Sequence, residues 1–134
     1  MTRYRISEAA ELLGVSDDTV RRWVDGGVLD AAPDDAGRAT VDGAALAAVA
    51  VERAHAPADP TARATSARNR LPGIVTRVVT DTVMAQVEMQ CGPFRVVSLM
   101  SSEAVRELGL EVGAHAVAVM KATTVVVETP GGSR

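Results

Sequence analysis

The chain has 134 residues and a formal net charge of −3, and Ala (23) and Val (21) supply 44 of its 63 hydrophobic positions. One cysteine, Cys91, excludes a disulfide scaffold, and no apolar run approaches the roughly 20 residues that a membrane span needs. The opening Met-Thr-Arg-Tyr-Arg has no hydrophobic stretch, so no secretory signal is expected and a soluble cytoplasmic protein is. The aromatics are only Tyr4, Trp23 and Phe94, which leaves small and β-branched side chains to build the core. Of the 14 basic residues 13 are Arg, so Lys121 stands alone.

In chain order, Ser7 reads as the N-cap of a first helix over residues 8–13, which Gly14 ends. Ser16 caps a second helix with Asp17 and Asp18 in its first turn, where carboxylates suit the positive helix end. That helix carries Val20, Trp23 and Val24, and Gly26-Gly27 stops it. Two short helices joined by a tight Gly-containing turn are the helix-turn-helix layout, with Ala10 small enough for a close crossing.

Tyr4-Arg5-Ile6-Ser7-Glu8-Ala9-Ala10-Glu11-Leu12-Leu13-Gly14-Val15-Ser16, followed by Thr19-Val20-Arg21-Arg22-Trp23, resembles the MerR and excisionase-like winged helix-turn-helix proteins over about residues 3–53. The resemblance implies a wing over residues 28–41 with Arg38 reaching phosphate, and a third helix over 43–53 capped by Asp42. It also implies a recognition helix that turns Asp17, Thr19, Arg21 and Arg22 to the major groove. The expected DNA-binding set is Arg5, Ser16, Thr19, Arg21, Arg22 and Arg38, with Trp23 as a core anchor. Residues 1–56 hold six Arg against ten Asp or Glu, whereas phosphate binding wants a basic face. A DNA-binding surface therefore requires Arg3, Arg5, Arg21, Arg22 and Arg38 to share one face while Asp25, Asp30, Asp34 and Asp42 lie on turns.

Residues 54–65, with two prolines and no large apolar side chain, read as a semi-extended linker. The period changes across it, from helical spacing before to alternation after. The expected organisation is a winged helix-turn-helix domain at 1–54, a linker at 55–65 and a second domain at 66–130. Each is near the size at which a single core is marginal, so oligomerisation is plausible support.

Strands are predicted over residues 71–79, 82–90, 94–99, 114–120 and 123–128, with a short helix over 103–108 capped by Ser101 or Ser102 and closed by Gly109. In the second strand Val83, Ala85, Val87 and Met89 alternate with Met84, Gln86, Glu88 and Gln90, a half-buried pattern. The fold class is thus α+β in two domains: a small α-helical winged helix-turn-helix, then a five-stranded OB-like β-barrel with a short helix.

Ser66-Ala67-Arg68-Asn69, the stretch Leu99 to Leu110 around Ser101, and Met120-Lys121-Ala122-Thr123 together resemble the Mop or molbindin domain, a subtype of the TOBE domains, over about residues 66–128. The resemblance implies binding of molybdate or tungstate at subunit interfaces. Carried over residue by residue, the oxyanion set is Ser66, the backbone of Ala67, Arg68, Ser101, Lys121, the backbone of Ala122, and Thr123. Ala104 departs from the pattern, standing where the family often has a second hydroxyl, and Asn69 is expected to tie down backbone. The chemistry agrees: molybdate is a proton-free tetrahedral dianion, so its site needs hydroxyls, N–H groups and cations without carboxylates.

Cys91, His55 and His115 form no zinc spacing, and no nucleophile–base constellation or phosphate loop is legible, so an enzyme is not expected. The leading expectation is a molybdate- or tungstate-responsive transcriptional regulator without an organic cofactor. Its partners would be double-stranded DNA and further copies of itself, from a dimer up to a hexamer, and no membrane. The ligand would sit between Mop domains, with Ser66 and Arg68 from one subunit and Lys121 and Thr123 from another. The alternatives are a molybdate or tungstate storage or buffering protein and an excisionase-like DNA accessory factor.

Overall fold

The structure, a computed structural model, describes residues 2–61 and 64–131, so residues 62 and 63 of the segment read as a linker lie outside the described part. The chain divides into two compact units, Met1–His55 and Ala56–Arg134.

The first unit runs β1 (Arg3–Arg5), α1 (Ile6–Leu13), α2 (Asp17–Asp25), β2 (Ala31–Pro33), β3 (Ala39–Asp42) and α3 (Gly43–Glu52). Gly14 closes α1 in the left-handed region at φ 68°, where its N–H donates to the carbonyls of Ala10 and Glu11. Ser16 Oγ accepts from the Thr19 N–H and caps α2, and Asp42 accepts from the Ala45 N–H and caps α3, as expected. Strands β2 and β3 form the expected wing, and its turn has Gly37 at φ 81°.

The start of α1 differs from expectation. Ser7 is not its cap; the helix begins at Ile6, with Arg5 in the capping position. The reason is β1, which the sequence reading missed. Arg3–Arg5 pairs antiparallel with β3 and delivers the chain directly into the helix, while the Glu8 carboxylate accepts from the Arg5 N–H at 2.8 Å. Ala9, Ala10, Val20, Leu29, Val41, Leu46 and Val49 form the core, with Trp23 packed half-buried against it.

The second unit contains β4 (Asn69–Thr80), β5 (Met84–Cys91), β6 (Phe94–Ser101), α4 (Ser102–Leu108) and β7 (His115–Met120), in one antiparallel sheet of order β6-β5-β4-β7. β4 is the spine: its first half pairs with β7 and its second with β5, and a register shift between Val75 and Arg77 bends it. Gly73 allows the close approach. A Cβ there would lie 2.4 Å from the Gln90 carbonyl oxygen and 2.7 Å from Cys91 Sγ. Val75, Ala85, Val87, Met89, Cys91 and Val105 are buried on the concave side. Glu88 faces the other side, as the alternation predicts, yet is almost covered because Arg95 at 2.9 Å and Arg77 at 3.7 Å close over it.

The fifth strand is a correction. Residues 122–128 form a short 3₁₀ turn, Ala122–Thr124, followed by extended chain that pairs with no strand among the described residues. The sheet is an open half-barrel with β6 and β7 as free edges. Val126 and Val127, each 82% exposed, keep strand-forming composition without a strand to join.

Candidate functional site

The β4–β7 ladder decides how the oxyanion set is arranged. Asn69 pairs with Met120, and its side-chain Nδ2 donates to the Met120 carbonyl at 3.3 Å, the backbone-tying role expected of it. Arg68 and Lys121 are the next residues on either side of that pair. Ser66-Ala67-Arg68 and Lys121-Ala122-Thr123 therefore leave the same end of two neighbouring strands of one chain. Backbone hydrogen bonding thus fixes these two segments side by side within one chain.

Ser66, Arg68, Lys121 and Thr123 are exposed, while Ala67 is buried. Thr65 shapes the first segment: the Ala67 N–H donates to Thr65 Oγ1 at 3.2 Å, and the Arg68 guanidinium donates to the Thr65 carbonyl at 2.8 Å. In the second segment the 3₁₀ turn is held by the N–H groups of Thr124 and Val125, donating to the carbonyls of Lys121 and Ala122. The N–H groups of Ala122 and Thr123 thus stand outside those bonds, at the start of the turn. No acidic residue occurs in 64–70 or 118–125. The combination of hydroxyls, backbone N–H groups and two cations can donate to an anion and offers it no side-chain carboxylate repulsion from these segments.

Ser101 lies elsewhere. It pairs with Met84 of β5, beside the Ala85–Thr80 pair, and so sits two strands from β4 at the level of its opposite end. Its Oγ caps α4 by accepting from the Ala104 N–H at 3.0 Å. An accepting hydroxyl keeps its own proton, so capping and donation to an anion are compatible. Ser102 is buried and donates to the Thr82 carbonyl, a purely structural bond. Cys91 is buried in the sheet core, where burial pushes its thiol pKa up and disfavours the nucleophilic thiolate. Among the described residues no three His, Cys, Asp or Glu side chains gather as a metal site, and no helix is long and apolar enough to cross a membrane.

In the first unit, Ser16, Arg21 and Arg22 are exposed on α2 and at its cap. Ser16 Oγ and Thr19 Oγ1 are 2.9 Å apart, and Arg22 donates to Thr19 Oγ1 at 3.2 Å. Arg21 is 3.5 Å from Asp18. Arg3, Arg5 and Arg38 line one shallow cleft against the wing, so part of the expected basic face exists. Asp34 does lie on the wing turn, as expected, but the turn brings acids into the same cleft. Glu8, Asp34 and Asp35 line the same cleft; Asp34 lies 3.2 Å from Arg38 and Glu8 lies 3.4 Å from Arg5. The hairpin is responsible, because Asp34 accepts from the N–H groups of Ala36 and Arg38 to hold the wing turn. The Arg38 N–H and the Arg5 N–H hold the Asp34 and Glu8 carboxyls below their ordinary range. Thr40 of this cleft lies outside the expected set, and the pairing of β1 with β3 brings it in: Arg3 donates twice to Thr40, at 2.8 and 2.9 Å.

A winged helix-turn-helix and a half-barrel whose strand end carries cations and hydroxyls without side-chain carboxylates are the two modules of this chain. Comparison with known proteins agrees. Residues 3–50 match the helix-turn-helix domain family and residues 65–127 match the TOBE domain family. A probable molybdenum-pterin-binding protein of Haemophilus influenzae is 46% identical over 63 residues, which are 46% of this chain and 91% of that protein. The molybdenum transport protein ModE of Herbaspirillum seropedicae is 35% identical over 66 residues, 48% of this chain and 24% of that one. The solved structure of MopII from Clostridium pasteurianum is 36% identical and aligns over its full length with 49% of this chain, at a TM-score of 0.46. The chain belongs to the TOBE domain family, with a helix-turn-helix domain ahead of its TOBE domain. These relatives carry the names of binding and transport proteins, not of enzymes.

Proposed function

We propose that this chain is a molybdate- or tungstate-responsive transcriptional regulator. The observation that carries the reading is the Asn69–Met120 pair, which brings Ser66-Ala67-Arg68 and Lys121-Ala122-Thr123 to one strand end as a donor-rich group without a side-chain carboxylate. A tetrahedral dianion would take hydroxyl protons from Ser66 and Thr123, N–H groups from Ala67 and Ala122, and charge from Arg68 and Lys121. Serving the anion requires Ala67 to release or share the bond it makes with Thr65. Ser101, at the far end of the sheet, is supplied by a second copy, so the ligand bridges subunits. The free sheet edges and the exposed Val126 and Val127 favour such assembly, because a strand without a partner seeks one. The names of the relatives point to molybdenum as the ligand's metal. Arg5, Ser16, Thr19, Arg21, Arg22 and Arg38 are the DNA-contacting residues of the helix-turn-helix, in a cytoplasmic protein.

A storage or buffering role is the second reading, favoured by one observation: Glu8, Asp34 and Asp35 stand among the arginines of the wing cleft and weaken its pull on phosphate. Gel shifts on the DNA upstream of the protein's own gene, with and without molybdate, separate the two. A regulator shifts the DNA and molybdate changes the midpoint, typically about 5- to 150-fold for an allosteric coupling. A storage protein shifts nothing at either condition.

A further inference from the structure

The segment that reads as a free linker is held at both ends. At its start Arg53, the residue that ends α3, places its guanidinium over the Trp23 ring, 5.5 Å from the centroid. At its far end the chain is fastened to the first residues of β4. Arg70 Nε donates to Asp59 Oδ2 at 2.6 Å, and its other nitrogen donates to the Thr61 carbonyl at 3.1 Å and to Thr61 Oγ1 at 2.7 Å. Asp59 in turn accepts from the N–H and the hydroxyl of Thr61, so one guanidinium and one carboxylate organise a compact turn. Both side chains of the pair are about four-fifths sheltered, more than both partners of any ion pair in the helix-turn-helix unit. The segment also doubles back along β4: Pro57 lines a cleft with Pro72, Gly73 and His115, while Asp59 sits at Arg70.

We propose that the Asp59–Arg70 pair is a clip that sets the length of the tether between the two modules and, resting on the reading above, makes oxyanion binding felt at the DNA. With Pro57 lying along β4, the clip leaves only residues 54–56 as the free tether. Six residue steps from Arg53 to Asp59 reach at most about 20 Å, whereas sixteen steps from Arg53 to Asn69 would reach about 55 Å. A short tether converts a change in how sheet units are arranged into a change in where the recognition helices can stand; a long one absorbs it. Arg70 is two residues from Arg68, so the clip is anchored on the strand whose first residues flank the proposed ligand segment.

The test uses the full-length chain with Asp59→Asn and, as the conservative control, Asp59→Glu. Elastase cuts after small residues and needs locally extended chain, so it probes Ala58 directly. Without ligand or DNA, Asp59→Asn is expected to be nicked at Ala58 about tenfold faster than wild type, because release exposes the strapped turn, and Asp59→Glu is expected to stay near wild type. Equal nicking of wild type and Asp59→Asn overturns the clip. In gel shifts with sodium molybdate, Asp59→Asn should bind DNA with wild-type affinity in the absence of ligand but lose the molybdate-dependent change. Retained coupling in that variant overturns the role in signalling. A wild type that shows no coupling overturns the regulator reading and the signalling role together, while the nicking comparison still judges the clip.

Discussion

The helix-turn-helix unit and the sheet unit bury their apolar surface to different degrees. In the first, seven buried residues are ringed by Tyr4, Ile6, Leu13, Val15, Trp23, Val24 and Ala45, and three strands and three helices close around them. In the second, the sheet stays open, and Leu99, Val126 and Val127 are left more than two-thirds exposed. The first unit closes its core although Leu12 and Val51 stay exposed on its surface, and the second presents edge strands and exposed valines that a further copy could cover. Recognition of DNA needs a rigid preformed surface, whereas a ligand that bridges subunits needs a surface that remains unfinished until assembly.

The largest expected effect tests the completeness of the first unit. Leu29 is among its most buried side chains, and Leu29→Ala should destabilise that unit by about 2–5 kcal/mol while leaving the sheet's unfolding midpoint unchanged. Thermal unfolding followed by Trp23 fluorescence, beside far-ultraviolet dichroism, checks this. A common shift of both transitions would show that the units do not fold separately. Gly73→Ala tests the sheet in the same way. Its Cβ would press on the Gln90 carbonyl and the Cys91 sulfur, and overpacking of this kind costs about 1–3 kcal/mol, read here from the dichroism of the strands.

Further effects sharpen the division of labour. Replacing both Arg21 and Arg22 by Ala should weaken DNA binding by about 1–3 kcal/mol per residue and relax its sequence specificity, with molybdate binding unchanged. Simultaneous loss of both activities would contradict two separate modules. The smallest effect is in pH. The Arg70 guanidinium holds the Asp59 carboxyl down, from the ordinary 3.8 to about 2. Because the folded pKa is the lower one, the stabilising contribution of the clip is fully present above about pH 4 and is lost as pH falls through 2. Elastase nicking at Ala58 in the wild type should accordingly be independent of clip protonation across neutral pH.

The first unit was the more legible in sequence because its signals are local. Gly14, Ser16, Gly26 and Asp42 mark helix ends within a few residues of the groups they bond, and the structure has all of them in those places. Ser7 misled because the true start of α1 is set by the pairing of β1 with β3, a contact between residues almost forty apart. Acidic and basic residues of the wing were likewise placed by hairpin geometry, which charge counting does not reveal. In the second unit four of the five predicted strands form, since each finds a partner in this chain. Residues 123–128 carry the same Val-rich signal without that partner, and composition alone does not distinguish a paired strand from an unpaired one. The segments proposed to hold the ligand were legible as motifs, but their gathering at one strand end, and the remoteness of Ser101, depend on register. Asp59 looked like linker filler because its partner, Arg70, is eleven residues on.

The central claim, that the strand end beside Asn69 and Met120 is an oxyanion site, is tested most directly by calorimetry of the full chain with molybdate, tungstate, sulfate and phosphate, wild type beside Lys121→Ala. The account predicts molybdate or tungstate binding by the wild type and a loss of about 10- to 100-fold or more in Lys121→Ala, the worth of a charged hydrogen bond, with the dichroism of the sheet unchanged. Equal affinity in both proteins, or no molybdate or tungstate heat at millimolar ligand, would contradict it.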